Sequence, residues 1–81
     1  MRLHLTARFI AQYDDAQSAV QKAVQKQLKL LESNVRRPSL HAKKFDEAGD
    51  IWQARVNKGW RFYFKIQKDV YCIIEMKAHP K

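Results

Sequence analysis

The chain has 81 residues, of which 46% are hydrophobic and only two are glycine and two proline, so its composition excludes a disordered chain and predicts one small globular domain over residues 1–81. Sixteen Lys and Arg residues against eight Asp and Glu residues give a net charge of +8, which points to phosphate-rich or acidic partners. The single cysteine excludes an internal disulfide, and the sequence has neither a run of about 20 apolar residues nor a signal-peptide pattern, so we expect a cytoplasmic protein without a membrane partner.

A short strand and a short helix are predicted at the start of the chain. Leucines alternate with polar residues in residues 1–5, as in a strand. Thr6 is a suitable N-cap for a helix over residues 7–13. Asp14, followed three residues later by Gln17, resembles a capping box, so we expect the first helix to end there and a second to begin.

The second helix is predicted over residues 15–33. Asn34 is expected to close it in the left-handed conformation, and Pro38 prevents its continuation. The helix has lysines on one face, so a membrane surface or a calmodulin-like groove is an alternative to packing on a sheet. Its apolar stripe lacks aromatic residues, which favours packing on the sheet. The stripe consists of Ala16, Val20, Ala23, Val24, Leu28 and Leu31.

Residues 35–49 show no periodicity and are predicted to form a loop. Leu40 and Phe45 are expected to hold the loop to the core. The loop is rich in positive charge, which would widen a basic surface on the following strands if the loop folds over them; the alternative is that its cations are simply solvated. These cations are Arg36, Arg37, Lys43 and Lys44.

Residues 50–66 predict a β-hairpin, because two apolar and polar alternations flank a short break at Asn57, Lys58 and Gly59. Side chains alternate between the faces of a strand, so one face is expected to join the core. That face carries Trp52, Ala54, Val56, Trp60, Phe62, Phe64 and Ile66. The opposite face carries Gln53, Arg55, Arg61, Tyr63 and Lys65. With no carboxylate among these five residues, the face predicts an anion-binding surface, and the alternative is the solvated side of a half-exposed sheet.

The last strand is predicted over residues 70–77, whose nearly continuous apolar character is typical of a central strand covered on both faces. Cys72 is expected to be a core residue of this strand. The element order is therefore β-α-α-β-β-β. This order predicts an α+β fold in which an antiparallel four-stranded sheet packs on an N-terminal helical hairpin.

The sequence also resembles a known family. The runs RRPSLHAKKF, DIWQARV and GWRFYFKI, followed by a hydrophobic strand and a short tail with His79, are similar in order and spacing to the RelE/ParE superfamily of toxins from bacterial toxin–antitoxin modules. The resemblance covers nearly the whole chain, including the helical hairpin. It implies a small α+β toxin that is held in check by a cognate antitoxin protein.

In the RelE-like and YoeB-like branches, the resemblance implies a ribonuclease that cuts messenger RNA on the ribosome. The RNA 2′-hydroxyl attacks the neighbouring phosphate, so the protein must surround the phosphate with cations and transfer protons. The implied catalytic residues are Arg61, Arg55 and His79. Lys43 and Lys44 match the segment that relatives use for ribosomal RNA. The other residues expected to contact RNA or the ribosome are Arg36, Arg37, Lys65, Lys77 and Tyr63.

The sequence departs from the family pattern at two positions. Gln53 stands where the RelE-like pattern has a lysine, and Pro80 and Lys81 stand where many of these toxins have a terminal tyrosine. No carboxylate clearly matches the one that YoeB-like members have, although Asp46, Glu47 and Asp50 lie in the segment before the hairpin. The general acid and base therefore stay open.

Three functions are consistent with these observations. The first is a ribosome-dependent endoribonuclease that cleaves mRNA and inhibits translation, with the ribosome and mRNA as partners. The second is a ParE-like gyrase inhibitor, and the third is a non-catalytic RNA-binding member of the fold. No cofactor is expected, and the spacing of the histidines and Cys72 does not suggest a metal site.

Overall fold

The computed structural model describes residues 2–78. The order of its elements is β-α-α-β-β-β-β, which confirms the predicted α+β class. The strands are β1 (Arg2–Leu5), β2 (Lys43–Asp46), β3 (Ile51–Asn57), β4 (Trp60–Gln67) and β5 (Val70–Ala78). The helices are α1 (Ala7–Asp15) and α2 (Ser18–Ser33), and a single 3-10 turn, Pro38–Leu40, lies between α2 and β2.

Within residues 2–78, the five strands form one sheet in the order β1-β5-β4-β3-β2. β1 pairs with β5 in parallel, whereas the other neighbours are antiparallel. The sheet is therefore mixed and has one strand more than predicted. The additional strand is β2, in the segment expected to be a loop, where Lys43 pairs with Gln53 and Lys44 with Trp52. Four residues dense in charge carry too little alternation to reveal a strand on their own.

Thr6 is the N-cap of α1, as predicted. Its hydroxyl accepts a hydrogen bond from the N–H of Phe9 at 3.2 Å and donates one to the carbonyl of Ile74 at 2.7 Å. The cap thus attaches the start of α1 to β5.

The boundaries of α2 differ from those predicted. The capping box is wrong, because Asp14 lies inside α1 and the N-cap of α2 is Gln17, which makes no capping bond with its side chain. Asn34 does not adopt the left-handed conformation, since its φ of −171° is extended. Its side-chain oxygen instead accepts a hydrogen bond from the N–H of Arg36 at 2.9 Å.

The core lies between α1, α2 and one face of the sheet. The predicted alternation of the hairpin is confirmed, since Ala54, Val56, Phe62 and Phe64 are buried and the tryptophans pack at the edge of the core. The remaining buried apolar residues are Phe9, Val20, Val24, Leu31, Leu40, Tyr71, Ile73 and Met76.

Two residues predicted to pack in the core, Phe45 and Cys72, lie outside it. Leu40 is fully buried, as expected, but Phe45 is 59% exposed. Cys72 is half-buried on the face of the sheet away from the helices, because its neighbours Tyr71 and Ile73 both point into the core. β5 is central, as predicted, but α1 and α2 cover it on one face only. In the described part of the chain, no helix is both long and apolar enough to cross a membrane.

Candidate nucleic-acid interface

The face of the sheet away from the helices carries a row of three cations. Arg55 on β3 lies directly opposite Arg61 on β4, and Arg61 lies opposite Lys77 on β5. Side chains at such paired positions have Cβ atoms about 4.5–5.5 Å apart, and like charges at this separation destabilise a sheet. Among residues 2–78, neither Arg55 nor Arg61 forms an ion pair with a carboxylate. An anion bound on this row would relieve the repulsion.

We call the surface around this row the cationic face. Its members share the side of the sheet opposite the core: Lys43, Phe45, Gln53, Arg55, Arg61, Tyr63, Lys65, Glu75 and Lys77. The five polar hairpin residues predicted to share one face are all on it, so this part of the prediction is confirmed.

Arg61 is held in place by the turn between β3 and β4. Its Nη1 donates hydrogen bonds to the carbonyls of Asn57 at 2.6 Å and Trp60 at 2.9 Å. Within the described residues, its Nε and Nη2 make no further bonds. The guanidinium is therefore fixed by one nitrogen and can present the other two to a ligand.

Arg55 has a buried nitrogen that lacks a hydrogen-bond partner in the described part of the chain. This atom is its Nε. Leaving a buried donor unpaired costs free energy, so a movement of the side chain that brings this N–H to an acceptor such as a phosphate oxygen is favoured. The backbone of Arg55 is fixed from the other side, because the side-chain amide of Gln27 donates to its carbonyl at 2.8 Å.

A second row on the cationic face combines aromatic and charged groups. Tyr63 lies between Gln53 on β3 and Glu75 on β5. The Nζ of Lys77 lies 5.7 Å from the centroid of the Tyr63 ring. Glu75 forms ion pairs with Lys77 at 3.9 Å and with Arg8 of α1 at 3.7 Å. It balances part of the charge at the β5 end of the face and leaves the β3 and β4 cations uncompensated.

Two residues of the cationic face were not predicted from the sequence to belong to it. Glu75 is one, although its place in a strand next to Lys77 could have revealed it. Phe45 is the other, and its ring centroid lies 4.9 Å from that of Tyr63 in an edge-to-face arrangement. Phe45 lies at a register shift between Lys44 and Asp46, in a segment that the sequence predicts to be a loop, so its place on this face was not expected.

Lys43 and Lys44 lie on opposite sides of the sheet. Lys43 pairs with Gln53 on the cationic face, whereas Lys44 pairs with Trp52 on the core side. The Nζ of Lys44 lies 5.2 Å from the centroid of the Trp52 ring and forms an ion pair with Asp50. The hydrogen bond to Asp50 raises the pKa of Lys44, and the same bond lowers the pKa of Asp50.

Arg36 and Arg37 are exposed near the end of α2 and are not brought to the cationic face. Arg36 lines a surface cavity together with Ala42 and Trp52, on the core side of the sheet. The Nε of Arg37 donates to the hydroxyl of Ser33 at 3.4 Å. These two cations extend a separate basic surface.

The remaining candidates lie at the margins of the cationic face. Lys65 pairs with Cys72, which in turn pairs with His4 of β1. Among residues 2–78, no three His, Cys, Asp or Glu side chains come together as metal ligands. His79, expected to be catalytic, lies outside the described residues.

The arrangement of strands and helices is that of a known class. The chain shares the fold of solved structures of YoeB/ParE, RelE and YoeB toxins, which confirms the fold implied by the sequence resemblance. No protein-family model and no curated protein sequence matches the chain.

Three solved structures illustrate the likeness. A YoeB/ParE toxin from Agrobacterium tumefaciens matches with a TM-score of 0.79 over 99% of this chain and 100% of its own, at 11% identity. An archaeal RelE–RelB complex from Pyrococcus horikoshii matches with a TM-score of 0.79 over 95% and 92%, at 18% identity. A heterotetrameric YoeB–YefM toxin–antitoxin complex from Staphylococcus aureus matches with a TM-score of 0.77 over 99% and 98%, at 14% identity. At these identities the likeness shows the fold alone.

Proposed function

We propose that the chain is the toxin of a toxin–antitoxin module and acts as a ribosome-dependent endoribonuclease that cleaves mRNA. The observation that carries this proposal is the row of Arg55, Arg61 and Lys77, in which neither arginine is paired with a carboxylate among residues 2–78 and one has an unsatisfied buried N–H. Guanidinium groups bind phosphate oxygens with two parallel hydrogen bonds.

In the proposed reaction, the 2′-oxygen of one nucleotide attacks the adjacent phosphorus and the bond from phosphorus to the 5′-oxygen breaks. The products are a cyclic phosphate and a 5′-hydroxyl. Negative charge increases on the phosphate oxygens in the transition state, and Arg55 and Arg61 stabilise it there. A base must take the proton of the 2′-hydroxyl and an acid must supply one to the 5′-oxygen. His79 is the proposed proton-transfer residue, because its ordinary pKa lies near neutrality.

The proposed protein partner is a cognate antitoxin. The P. horikoshii relative is a complex with RelB, and the S. aureus relative is a complex with YefM. For this chain, we expect an acidic or amphipathic segment that covers the cationic face and neutralises its charge.

The experiment is induced expression followed by mapping of mRNA 5′ ends, comparing the wild type with Arg61→Ala. New ends within translated codons that disappear in Arg61→Ala are expected. Since the side chain of Arg61 also binds the carbonyls of the turn, Arg61→Lys serves as a second variant: it retains a charge and a donor but lacks the planar fork, so it too should lose most cleavage. Lys58→Ala removes an exposed cation of the same turn and should cleave as the wild type does.

The other outcomes are equally informative. Undiminished cleavage by folded Arg61→Ala contradicts the assigned role. DNA breaks with intact mRNA assign the chain to the gyrase inhibitors, and binding to active ribosomes without cleavage assigns it to the non-catalytic RNA-binding members of the fold.

A further inference from the structure

Phe45 is an exposed aromatic residue beside a cluster of cations. Of the large apolar side chains described, Leu5, Ile10 and Phe45 are the exposed ones, and Phe45 is the most exposed at 59%. Leu5 and Ile10 line an apolar groove with other residues of α1 and α2. Phe45, by contrast, is at the edge of a polar surface, and its one aromatic neighbour among residues 2–78 is Tyr63. Packing in the hydrophobic core therefore does not explain the position of Phe45.

Phe45 lies at a bulge in β2 and faces the cationic side of the sheet. Lys44 pairs with Trp52 and Asp46 pairs with Ile51, so Phe45 is the extra residue between these two pairs. Such bulges are frequent at sheet edges near functional sites. The contact with Tyr63 places the ring on the same side as Lys43 and Arg61.

We propose that Phe45 and Tyr63 form a stacking platform for an unpaired nucleobase of single-stranded RNA. Edge-to-face packing against Tyr63 leaves one surface of the Phe45 ring accessible, and every base has an aromatic face to place on it. The inference rests on the proposed function in taking RNA as the ligand.

The charges around the platform favour RNA over an apolar protein segment. Tyr63 and Arg61 lie on the same face two positions apart on β4, about 6.8 Å along the strand, which is comparable with the separation of a base from its own phosphate. Lys43 of β2 is aligned with Tyr63 across the sheet, since both residues pair with Gln53 of β3. A base on Phe45 would thus have its flanking phosphates beside cations that are not paired with carboxylates among the described residues.

The test measures the affinity of the whole chain for a labelled single-stranded RNA whose 2′-hydroxyls are methylated, so that it cannot be cleaved. A matched strand with abasic nucleotides retains the phosphates and lacks the bases. Phe45→Ala is expected to bind the intact strand about tenfold more weakly than the wild type does. It should bind the abasic strand as well as the wild type does.

Two further variants show whether a lower RNA affinity of Phe45→Ala comes from lost stacking or from a disturbed fold. Phe45→Trp retains a stacking surface and should restore the affinity for the intact strand. Ile10→Ala removes the 45% exposed apolar side chain of α1 and should change neither affinity.

Several results would overturn the inference. These are unchanged affinity of Phe45→Ala for the intact strand, an equal loss for both strands, or no binding of RNA by the wild type. Retained RNA binding combined with loss of antitoxin binding would assign Phe45 to a protein interface instead. If Phe45 contributes to base binding but the chain cleaves no mRNA, the proposed nuclease activity is wrong and the proposed stacking platform still holds. The two results are separable because the binding assay uses a strand that cannot be cleaved.

Discussion

Lys43 and Lys44 are neighbours in sequence with different surroundings. Lys43 shares the cationic face with Gln53 and Tyr63, while Lys44 is tied to Asp50 and Trp52 on the core side. Strand geometry alone causes this separation, because successive side chains point to opposite faces. A residue's sequence position in a basic run is therefore a poor guide to what it binds.

We predict that Lys43→Ala weakens binding of the uncleavable RNA and that Lys44→Ala does not. Losing one phosphate contact to a single strand should reduce the slope of log affinity against log salt by about 0.7. Anisotropy titrations at several salt concentrations measure both quantities. Equal losses in the two variants would show that Lys44 also reaches the RNA.

The ion pair between Lys44 and Asp50 predicts a pH dependence. Asp50 has a pKa below its ordinary value of 3.8 because of the hydrogen bond with Lys44, so the pair stabilises the fold above pH 3.8 and this contribution disappears as the pH falls through the lowered pKa. Lys44 has a pKa above its ordinary 10.5, so the contribution is complete below pH 10.5 and is lost as the pH rises through the raised pKa.

Asp50→Asn tests this dependence without straining the backbone. Asp50 has a φ of 56°, and asparagine tolerates this left-handed conformation. Urea unfolding is expected to find the wild type more stable near neutrality, with the difference shrinking at acidic pH well below 3.8. A difference that is constant over the whole pH range would contradict the ion pair as its origin.

At the scale of elements, the sequence predicts the hairpin well and β2 poorly. The hairpin has two long runs in which apolar and polar residues alternate around a turn. The two-residue period of these runs is enough to predict which side chains point into the core and which point away from it. β2 has four residues, one of which is displaced by the bulge, and its strand character comes from pairing with β3. Such tertiary pairing also decides that Phe45 faces Tyr63, so the aromatic part of the site could not be predicted.

Gln27 shows another limit of the apolar pattern. It follows Val20 and Val24 at helical spacing and precedes Leu31 in the buried stripe of α2. It is only 5% exposed, and its side-chain amide donates to the carbonyls of Ser39 at 3.0 Å and Arg55 at 2.8 Å. The spacing could have revealed a buried position, but its partners lie in elements far along the chain.

We predict that Gln27→Leu destabilises the fold by about 2 kcal/mol, because two carbonyls lose their donor while the volume is nearly conserved. The free energy of unfolding in urea measures this loss. Lys26→Leu introduces the same side chain at an exposed position of α2 and is expected to have little effect. Comparable losses in both variants would point to helix propensity or solubility and not to the two hydrogen bonds.

At the scale of the whole molecule, part of the net charge of +8 is concentrated on one face of the sheet. Four cations of the cationic face form no ion pair among residues 2–78: Lys43, Arg55, Arg61 and Lys65. Glu75, the carboxylate among the residues that define the face, already forms ion pairs with Arg8 and Lys77. The net charge predicts an anionic partner, and the register of β2 to β5 gathers unpaired cations on the one face where we expect that partner to bind.

This distribution predicts a strong dependence of RNA affinity on salt. Four phosphate contacts to a single strand give a slope of about −3, so affinity should fall about 50-fold between about 50 mM and about 200 mM salt. Arg55→Gln should make the slope shallower. An affinity that does not depend on salt would contradict phosphate binding by this face.

The pairing of β1 with β5 has a consequence for the order in which the molecule is made. Thr6, at the end of β1, binds the carbonyl of Ile74 across 68 positions of the sequence, and β5 also supplies the antiparallel neighbour of β4. During synthesis β5 is the last of these strands to emerge, so the sheet cannot close until translation has passed it. The cationic face, which includes Glu75 and Lys77 of β5, is therefore assembled only after β5 has emerged.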